Sequence, residues 1–309
     1  MAKIWSKCAL CILQFFASTL GFFLAKIPHS FFVFHIKVLA WLLHILDKRR
    51  KGDARANLDF VFKESISDAQ KHQIIKQCYE NFVFIILESV RIPFLHAKRY
   101  EERFSFSNEH YITDCIKRDG GAILVSAHFG YWEAMATILP PRYTMCQMAS
   151  LGRLTQFESV NTLIIKHREL KGVKMIDKKG AMRHLVKMYS QKNALVGILV
   201  DQNIGSNEGI EVRFFGKRAT HTTIASVISR RFKVAIVPVF IDCNADYSRY
   251  NVEFKEPIYA RDSINMQEDI LQATQAQADV VQKAIESHPS SYFWFHKRFK
   301  SFYSAIYTH

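Results

Sequence analysis

An uncharged, apolar stretch near the amino terminus is the strongest constraint on how this chain folds. Residues 8–25 form a run without a charged side chain, and Lys3 and Lys7 precede it. Its 18 residues lie at the lower end of the roughly 17–25 residues that a helix needs to span a bilayer. The sequence Lys-Ile-Pro-His follows at 26–29, with no small-residue cleavage site of the kind that ends a signal peptide. We therefore interpret the stretch as a membrane anchor.

A second apolar run, at 31–46, contains three polar interruptions. Of its polar and aromatic side chains, Lys37, Trp41 and His44 fall on one helical face. An apolar helix with such a face favours a position in the membrane interface, parallel to the bilayer surface. An ordinary buried helical hairpin is the alternative interpretation of the two runs together.

Four consecutive basic residues, at 48–51, follow the second run. By the positive-inside tendency, this block places the rest of the chain on the cytoplasmic side of the membrane. Beyond it there is no internal repeat, low-complexity stretch or clear linker. We predict a membrane anchor with an interfacial helix over 1–51 and a single domain over 52–309.

The rest of the chain alternates between short apolar strands and segments with helical spacing. Strands that are separated by helices are typical of a layered α/β domain around a parallel sheet. We therefore expect an α/β fold with a mainly parallel central sheet flanked by helices. The predicted strands are 122–127, 143–149, 173–176, 194–200, 234–241 and 250–254, and the predicted helices are 67–91, 131–139, 157–170, 180–191, 222–232 and 266–287.

The charge balance points to an anionic partner. Lys and Arg number 42 against 28 Asp and Glu, a formal net charge of +14. Such an excess fits nucleic acid, an anionic membrane surface or a phosphorylated substrate. The 25 Phe residues favour lipid, and the sequence has no zinc-finger spacing, RNP-like segment or long arginine-rich arm. We therefore expect membrane and lipid partners and no nucleic acid.

The six cysteines form no recognisable metal site or disulfide framework. Cys8 and Cys11 have two residues between them, but no second Cys pair or His pair completes a zinc-binding pattern. Both lie in the apolar run, where cysteine acts as a small hydrophobic residue. We expect no metal, no cofactor and a reducing, cytoplasmic environment for the main domain.

The segment from His128 to Glu133 is the strongest indication of chemistry. His128 directly follows the predicted strand 122–127, at the carboxyl edge where open α/β sheets bind ligands. A carboxylate that folds back from Glu133 would fix the imidazole tautomer and support a proton taken by the other nitrogen. The nucleophile would be a substrate hydroxyl and the reaction an acyl transfer. From spacing alone, a structural histidine is the simpler interpretation.

Three further segments accompany this one in a recognisable order along nearly the whole chain. The four are Arg55-Ala-Asn-Leu58 with Phe62, His128-Phe-Gly-Tyr-Trp-Glu133, Asp201-Gln202 followed by Phe214-Phe-Gly216 and Thr220, and Tyr292-Phe-Trp-Phe-His-Lys-Arg-Phe-Lys300. In this order they resemble the late acyltransferases of lipid A biosynthesis, the lauroyl and myristoyl transferases. That family belongs to the glycerolipid and lysophospholipid acyltransferase superfamily.

The sequence departs from the family pattern at a few positions. Tyr131 stands where the family has Asn, and Arg213 where it usually has Pro. The family's Arg-Pro…Asn stretch is altered, since Arg153 and Arg168 keep its spacing while other residues replace Pro and Asn. The roles of these two arginines are therefore less well supported than that of the His128–Glu133 pair.

The resemblance implies transfer of a fatty acyl group from acyl carrier protein to the hydroxyl of a 3-hydroxyacyl chain on a phosphorylated lipid A precursor. It implies an inner-membrane enzyme whose catalytic domain lies on the cytoplasmic face. His128 would be the general base and Glu133 the residue that orients it. The residues expected to bind substrate are Arg153, Arg168, Asp201, Phe215, Gly216 and Arg298.

Other functions are compatible with the same sequence features. The acceptor could be a lysophospholipid or a glycolipid, because related acyltransferases share the His-x4-acid pair. A non-catalytic protein that binds the membrane surface is a second alternative. A hydrolase is a third, but it would need a protein nucleophile, and the sequence contains no Gly-x-Ser-x-Gly elbow. Acyl chain length depends on the depth of a hydrophobic pocket, and no single residue of the sequence reports it.

Overall fold

The computed structural model describes residues 2–152, 165, 169, 172–178, 180–205 and 209–308, with side chains from residue 14 onward. The helices are α1 (Ala2–Lys26), α2 (His29–Leu46), α3 (Lys48–Phe62), α4 (Asp68–Arg91), α5 (Ala97–Glu101), α6 (His110–Asp119), α7 (Met135–Ile138), α8 (Ala181–Ser190), α9 (Ile224–Phe232) and α10 (Met266–Ser287). The strands are β1 (Phe104–Ser107), β2 (Gly121–Ser126), β3 (Gln147–Gly152), β4 (Lys174–Asp177), β5 (Ala194–Leu199), β6 (Gly209–Phe214), β7 (Lys217–Thr222), β8 (Ala235–Cys243) and β9 (Tyr250–Phe254).

The central sheet has seven strands in the order β1-β9-β8-β2-β5-β3-β4. The five strands from β8 to β4 run parallel to one another. Only the β8–β9 pair is antiparallel within this sheet, while β6 and β7 form a separate antiparallel hairpin. The prediction of an α/β fold with a mainly parallel sheet flanked by helices is confirmed.

Burial explains why β2 and β5 are so apolar. Every residue of β2 is buried, as are four of the six residues of β5. Parallel strands in the middle of such a sheet are covered on both faces, so they consist of continuous hydrophobic runs. On the helical side, α4 begins at a capping box formed by Ser67 and Gln70 and buries an apolar face that includes Ile75 and Phe84.

All six predicted strands occur, with small shifts at their ends. β3 begins at Gln147, later than predicted, because the chain from Leu139 to Cys146 continues in turns, with the Tyr143 amide donating to Leu139. The predicted helix at 131–139 is a one-turn 3₁₀ helix, Trp132–Ala134, followed by α7. The predicted helix at 157–170 lies outside the described residues. The sequence analysis missed α3, α5, α6, β1 and the β6–β7 hairpin.

The first two helices pack on α4 and still leave large apolar side chains exposed. α2 buries Phe32, Ile36 and Ala40, whereas Phe34 is 59% exposed and Trp41 is 56% exposed. Among the described helices, His29–Leu46 is long and apolar enough to cross a membrane, with a mean hydropathy of 1.5. The sequence analysis had placed the spanning segment in 8–25, within α1, and an interfacial helix in 31–46.

A buried ionic cluster joins α2 and β9 to α4. The carboxylate of Glu88 is fully buried and pairs with Arg91 at 2.6 Å and with Arg103 at 2.8 Å. The Arg91 guanidinium also lies over the Phe32 ring, 3.6 Å from its centroid. Since a buried carboxylate is tolerated only when it is paired, Glu88 depends on these two arginines.

Asn57 fastens the carboxyl-terminal segment to α3. Its amide nitrogen donates to the carbonyls of Trp294 at 2.7 Å and His296 at 2.6 Å. Its amide oxygen accepts from the Tyr307 hydroxyl at 2.6 Å. Asn57 is 1% exposed, so water does not replace these bonds. This explains the Asn-Leu segment found in the sequence: Asn57 holds the last aromatic cluster in place.

We expect Asn57→Ala to lower the free energy of unfolding by about 2–4 kcal/mol, because buried groups that lose their partner are costly. Tyr307→Phe removes one of the three Asn57 bonds, together with the bond that the Tyr307 hydroxyl accepts from the Phe299 amide at 3.0 Å, and should cost less than Asn57→Ala, about 1–2 kcal/mol. Thermal or chemical unfolding of the full chain in detergent measures both values. Equal losses for the two variants, or a loss under about 1 kcal/mol for Asn57→Ala, would contradict the role given to Asn57.

Candidate active site

The register between β2 and β5 brings His128 and Asp201 together. The last register pair is Ser126 with Leu199, and the Val200 amide still donates to the Ser126 carbonyl at 2.9 Å. His128 and Asp201 each follow their strand by two residues, so they emerge side by side at the carboxyl edge of the sheet. There, His128 Nδ1 and Asp201 Oδ1 lie 2.9 Å apart.

This arrangement differs from the expected one, in which Glu133 orients the imidazole. Asp201 occupies that position, because two residues at equal depth on neighbouring parallel strands meet directly. Glu133 lies in the 3₁₀ turn, where its Oε1 accepts from Trp132 Nε1 at 3.2 Å. Glu133 and His128 nevertheless line the same cavity.

The loop that carries His128 is held on both sides by backbone hydrogen bonds. The amides of Gly130 and Tyr131 donate to Ser291 and Ile241, each at 2.8 Å, and the Phe293 amide donates to the His128 carbonyl at 2.8 Å. Gly130 has a φ of +53°, and a Cβ there would lie 1.9 Å from the Ile241 carbonyl oxygen. Only glycine fits this close approach, which fixes the backbone of His128.

Tyr131, the departure from the family's Asn, fills the core beneath this loop. It is fully buried, and its hydroxyl lies 3.3 Å from that of Tyr100. Its ring packs against Phe84 and Tyr250, with centroids 4.9 and 5.2 Å away. Tyr131 therefore packs in the core and is not among the residues that line the cavity beside His128.

Asp201 is an ionised, buried acceptor. Burial on its own raises the pKa of this carboxyl, but the attraction and hydrogen bond of His128 outweigh it and hold the pKa of Asp201 well below its usual value. An ionised carboxylate only accepts hydrogen bonds, so Nδ1 of His128 carries a proton. In the neutral imidazole, Nε2 is then the unprotonated acceptor, and the side-chain amide of Gln202 donates to it at 3.5 Å.

A second histidine, His296, lies against the pair. The rings of His128 and His296 are 4.7 Å apart and nearly perpendicular. Burial and the charge of His128 lower the pKa of His296 from 6.5 to about 4, which keeps this imidazole neutral at physiological pH. The ligand atoms of His128, Asp201 and His296 lie within 4.8 Å of one another, a set that could hold a metal ion. The direct 2.9 Å bond between His128 and Asp201 leaves no room for an ion between those two.

An apolar cavity of about 180 Å³ adjoins the histidine. It lies between one face of β2, β5 and β3 and the helical turns that follow His128. Its polar lining includes His128, Trp132, Glu133 and Gln202, next to the carboxyl ends of β2 and β5. Much of its apolar lining comes from Leu124, Met135, Ala136, Leu139, Met148, Leu151, Val173, Leu195, Ile198 and Leu199.

The other predicted site residues lie elsewhere. Arg298 is 1% exposed and donates to the carbonyls of Thr220 and Gln202. It therefore supports, from within the core, the backbone that follows β5. Phe215 and Gly216 form the turn of the β6–β7 hairpin, where the Phe215 amide donates to Gln282 at 2.5 Å. Phe215 and Gly216 are not among the described residues that line the cavity. Arg153 and Arg168 lie outside the described residues.

Sequence reasoning missed Gln202 and His296 as parts of this site and gave Asp201 a different role. The signal for Asp201 was present, because His128 and Asp201 each follow an apolar strand at nearly the same offset. It required knowing that β2 and β5 are neighbours, although β3 and β4 lie between them in the chain. His296 depends on the carboxyl-terminal segment, whose path no local pattern reveals.

Comparisons with known proteins identify the family of this chain. The family model of the bacterial lipid A biosynthesis acyltransferases matches residues 6–301. The lipid A biosynthesis palmitoleoyltransferase of Escherichia coli (strain K12) is 24% identical over 267 residues, covering 82% of this chain and 80% of that protein. A lipid A biosynthesis acyltransferase of Haemophilus influenzae is 20% identical over 258 residues, covering 84% and 78%. The chain therefore belongs to the bacterial lipid A biosynthesis acyltransferase family.

Proposed function

We propose that this chain transfers a fatty acyl group from the thioester of acyl carrier protein to a hydroxyl of a lipid A precursor. The acceptor hydroxyl is that of a 3-hydroxyacyl chain on the phosphorylated disaccharide. The observation that carries the proposal is the His128 imidazole, with Nδ1 bonded to a buried carboxylate and Nε2 beside an apolar cavity. Such a pair activates a hydroxyl nucleophile.

In the proposed reaction, Nε2 of His128 takes the proton of the acceptor hydroxyl as its oxygen attacks the thioester carbonyl carbon. The tetrahedral intermediate then collapses, the carbon–sulfur bond breaks, and the departing thiolate takes the proton from His128. The products are the acyl ester and free acyl carrier protein thiol. Asp201 stabilises the positive charge that His128 carries between the two proton transfers.

The oxyanion of the intermediate needs a hydrogen-bond donor near Nε2. The amides of Phe129, Gly130 and Tyr131 already donate to Ala127, Ser291 and Ile241, so the loop beside His128 does not supply it. The side-chain amide of Gln202 lines the cavity and lies 3.5 Å from Nε2. We assign Gln202 as this donor, and Arg298 steadies it through the Gln202 carbonyl at 3.4 Å.

Glu133 keeps a proposed catalytic role in a changed form. Its carboxylate lines the cavity that His128 faces, so it adds a second negative charge near the imidazolium. Lys178 lines the same cavity, and its positive charge fits the acidic donor or the phosphorylated acceptor. Arg153 and Arg168 remain predicted contacts to the anionic substrates, and Phe215 and Gly216 remain predicted from the family pattern alone.

Loss of the proposed base should remove most of the rate. We expect His128→Gln to lower kcat by about 10²- to 10⁴-fold. Asp201→Asn should lower kcat by about 10²- to 10⁴-fold with little change in KM, because an amide at this position favours the wrong tautomer. The assay uses purified full-length chain, acyl carrier protein thioester and a lipid A precursor, with product measured by mass spectrometry.

Glu133→Gln and a melting temperature for each variant accompany these measurements, so that loss of folding is separated from loss of catalysis. Wild-type turnover distinguishes the enzyme from a membrane-surface binding protein, which gives none. Normal activity in His128→Gln would sink the general-base mechanism. More than about a tenth of wild-type kcat in Asp201→Asn would sink the role of Asp201.

The proposed location is the inner membrane, with the domain over 52–309 on the cytoplasmic face and 1–51 as the membrane-associated part. On α1, three phenylalanines are each more than 60% exposed: Phe15, Phe16 and Phe23. α2 adds a further apolar face. Exposed apolar helices of this kind insert into lipid. The exposed basic residues 48–50 favour the cytoplasmic side. α3 runs across the boundary at residue 51, which couples the two parts.

Replacing the exposed phenylalanines with serine should release the protein from membranes. Each phenylalanine contributes about 1.5–3 kcal/mol when it is buried in an apolar phase. Changing Phe15, Phe16 and Phe23 together should therefore weaken membrane binding at least a hundredfold, measured as the soluble fraction after cell fractionation. Ile264→Ser, a fully exposed apolar residue on the main domain, is the control. Retention of the triple variant in membranes would contradict the proposal for α1.

A further inference from the structure

Gly197 lies in the middle of β5, on the face that lines the cavity. The register places it between Leu124 of β2 and Ser150 of β3. All three line the cavity, and together they form one row across the sheet. Leu195 and Met148 form part of the next row, one step further from the His128 end.

The backbone does not require a glycine at this position. A Cβ added to Gly197 meets only the Ala149 carbonyl oxygen, at the ordinary contact distance of 3.9 Å. At Gly121 and Gly130, by contrast, an added Cβ would come within 2.4 and 1.9 Å of a carbonyl oxygen. A glycine inside a strand weakens that strand and often marks the close approach of a ligand. What Gly197 provides is empty space in the cavity.

The position of Gly197 along β5 determines how far this empty space lies from His128 and Asp201. Gly197 is four residue steps before Asp201, which is roughly 13 Å at about 3.3 Å per step. An extended hydrocarbon chain advances about 1.3 Å per bond, given a carbon–carbon bond of about 1.5 Å. A chain whose carbonyl lies beside His128 therefore reaches the row of Gly197 after about ten bonds.

We propose that Gly197 is a specificity-determining residue that lets donor acyl chains longer than about ten carbons enter this cavity; this rests on the proposed function. The acyl tail of the donor begins at the thioester carbonyl and is a single unbranched chain. The acceptor hydroxyl, in contrast, belongs to a branched lipid that approaches Nε2 from outside. Longer chains displace Met135 and Met148, whose unbranched side chains adopt several rotamers.

The cavity is small enough for one side chain to matter. Its volume of about 180 Å³ only slightly exceeds the roughly 150 Å³ that holds a benzene molecule in an engineered protein cavity. A valine side chain at position 197 would therefore take up much of the space in its row. A methyl group, as in Gly197→Ala, would take up less and create no clash, since its nearest contact is 3.9 Å.

The test is a competition assay on the full-length chain with an equimolar mixture of acyl carrier protein thioesters of eight to sixteen carbons and one lipid A precursor. We expect Gly197→Val to lower the ratio of long-chain to short-chain product at least tenfold. Gly197→Ala should lower it by a smaller factor without lowering the melting temperature. Met148→Ala, in the deeper row, should shift the product toward longer chains.

Val196→Ala is the matched control, because Val196 points to the opposite face of β5 and is fully buried. It should lower the melting temperature and leave the chain-length ratio as in the wild type. An unchanged ratio in both Gly197→Ala and a folded Gly197→Val would overturn the proposal. So would a product ratio that shifts toward the longer chains in Gly197→Val. No transfer by the wild type from any thioester would mean that the proposed function itself is wrong.

Discussion

The register between two parallel strands is the constraint on which the site depends. β2 and β5 end at the same level, so the next side chains that leave the sheet, His128 and Asp201, meet at hydrogen-bonding distance. A slip of one residue would turn either side chain to the other face. Continuous burial of β2 fixes that register, because a shifted strand would lose its packing on both sides. The chemistry of the site is therefore a consequence of core packing.

The site also depends on segments that are distant in sequence. The chain from Ser291 to Phe293 pairs with the loop that carries His128, and His296 packs against its imidazole. Asn57, near the amino terminus, holds that same segment through two carbonyls. Three segments that stand far apart in the sequence, around Asn57, His128 and His296, thus form one assembly.

Much of the fold was predictable from the sequence, and the site less so. Strong local patterns in the sequence predict elements that the folded structure contains. Examples are the apolar strands 122–127 and 194–200 and the long helix 266–287. β1 has four residues and the β6–β7 hairpin is largely polar, so their sequence patterns are weak. The partner of His128 was missed because chain proximity favoured Glu133, whereas strand order favours Asp201. Gly197 carries no local signal, since only the cavity shows that its missing side chain matters.

In the proposed mechanism, Asp201 holds the Nδ1 proton of His128 and leaves Nε2 as the base. The most direct measurement is the nitrogen NMR spectrum of histidine-labelled, full-length protein at neutral pH. His128→Gln identifies the His128 signals among the 13 histidines. We expect a protonated Nδ1 and an unprotonated Nε2 in the wild type, with the tautomer altered in Asp201→Asn and kept in Glu133→Gln. A tautomer that changes in Glu133→Gln and is unaffected in Asp201→Asn would contradict this mechanism.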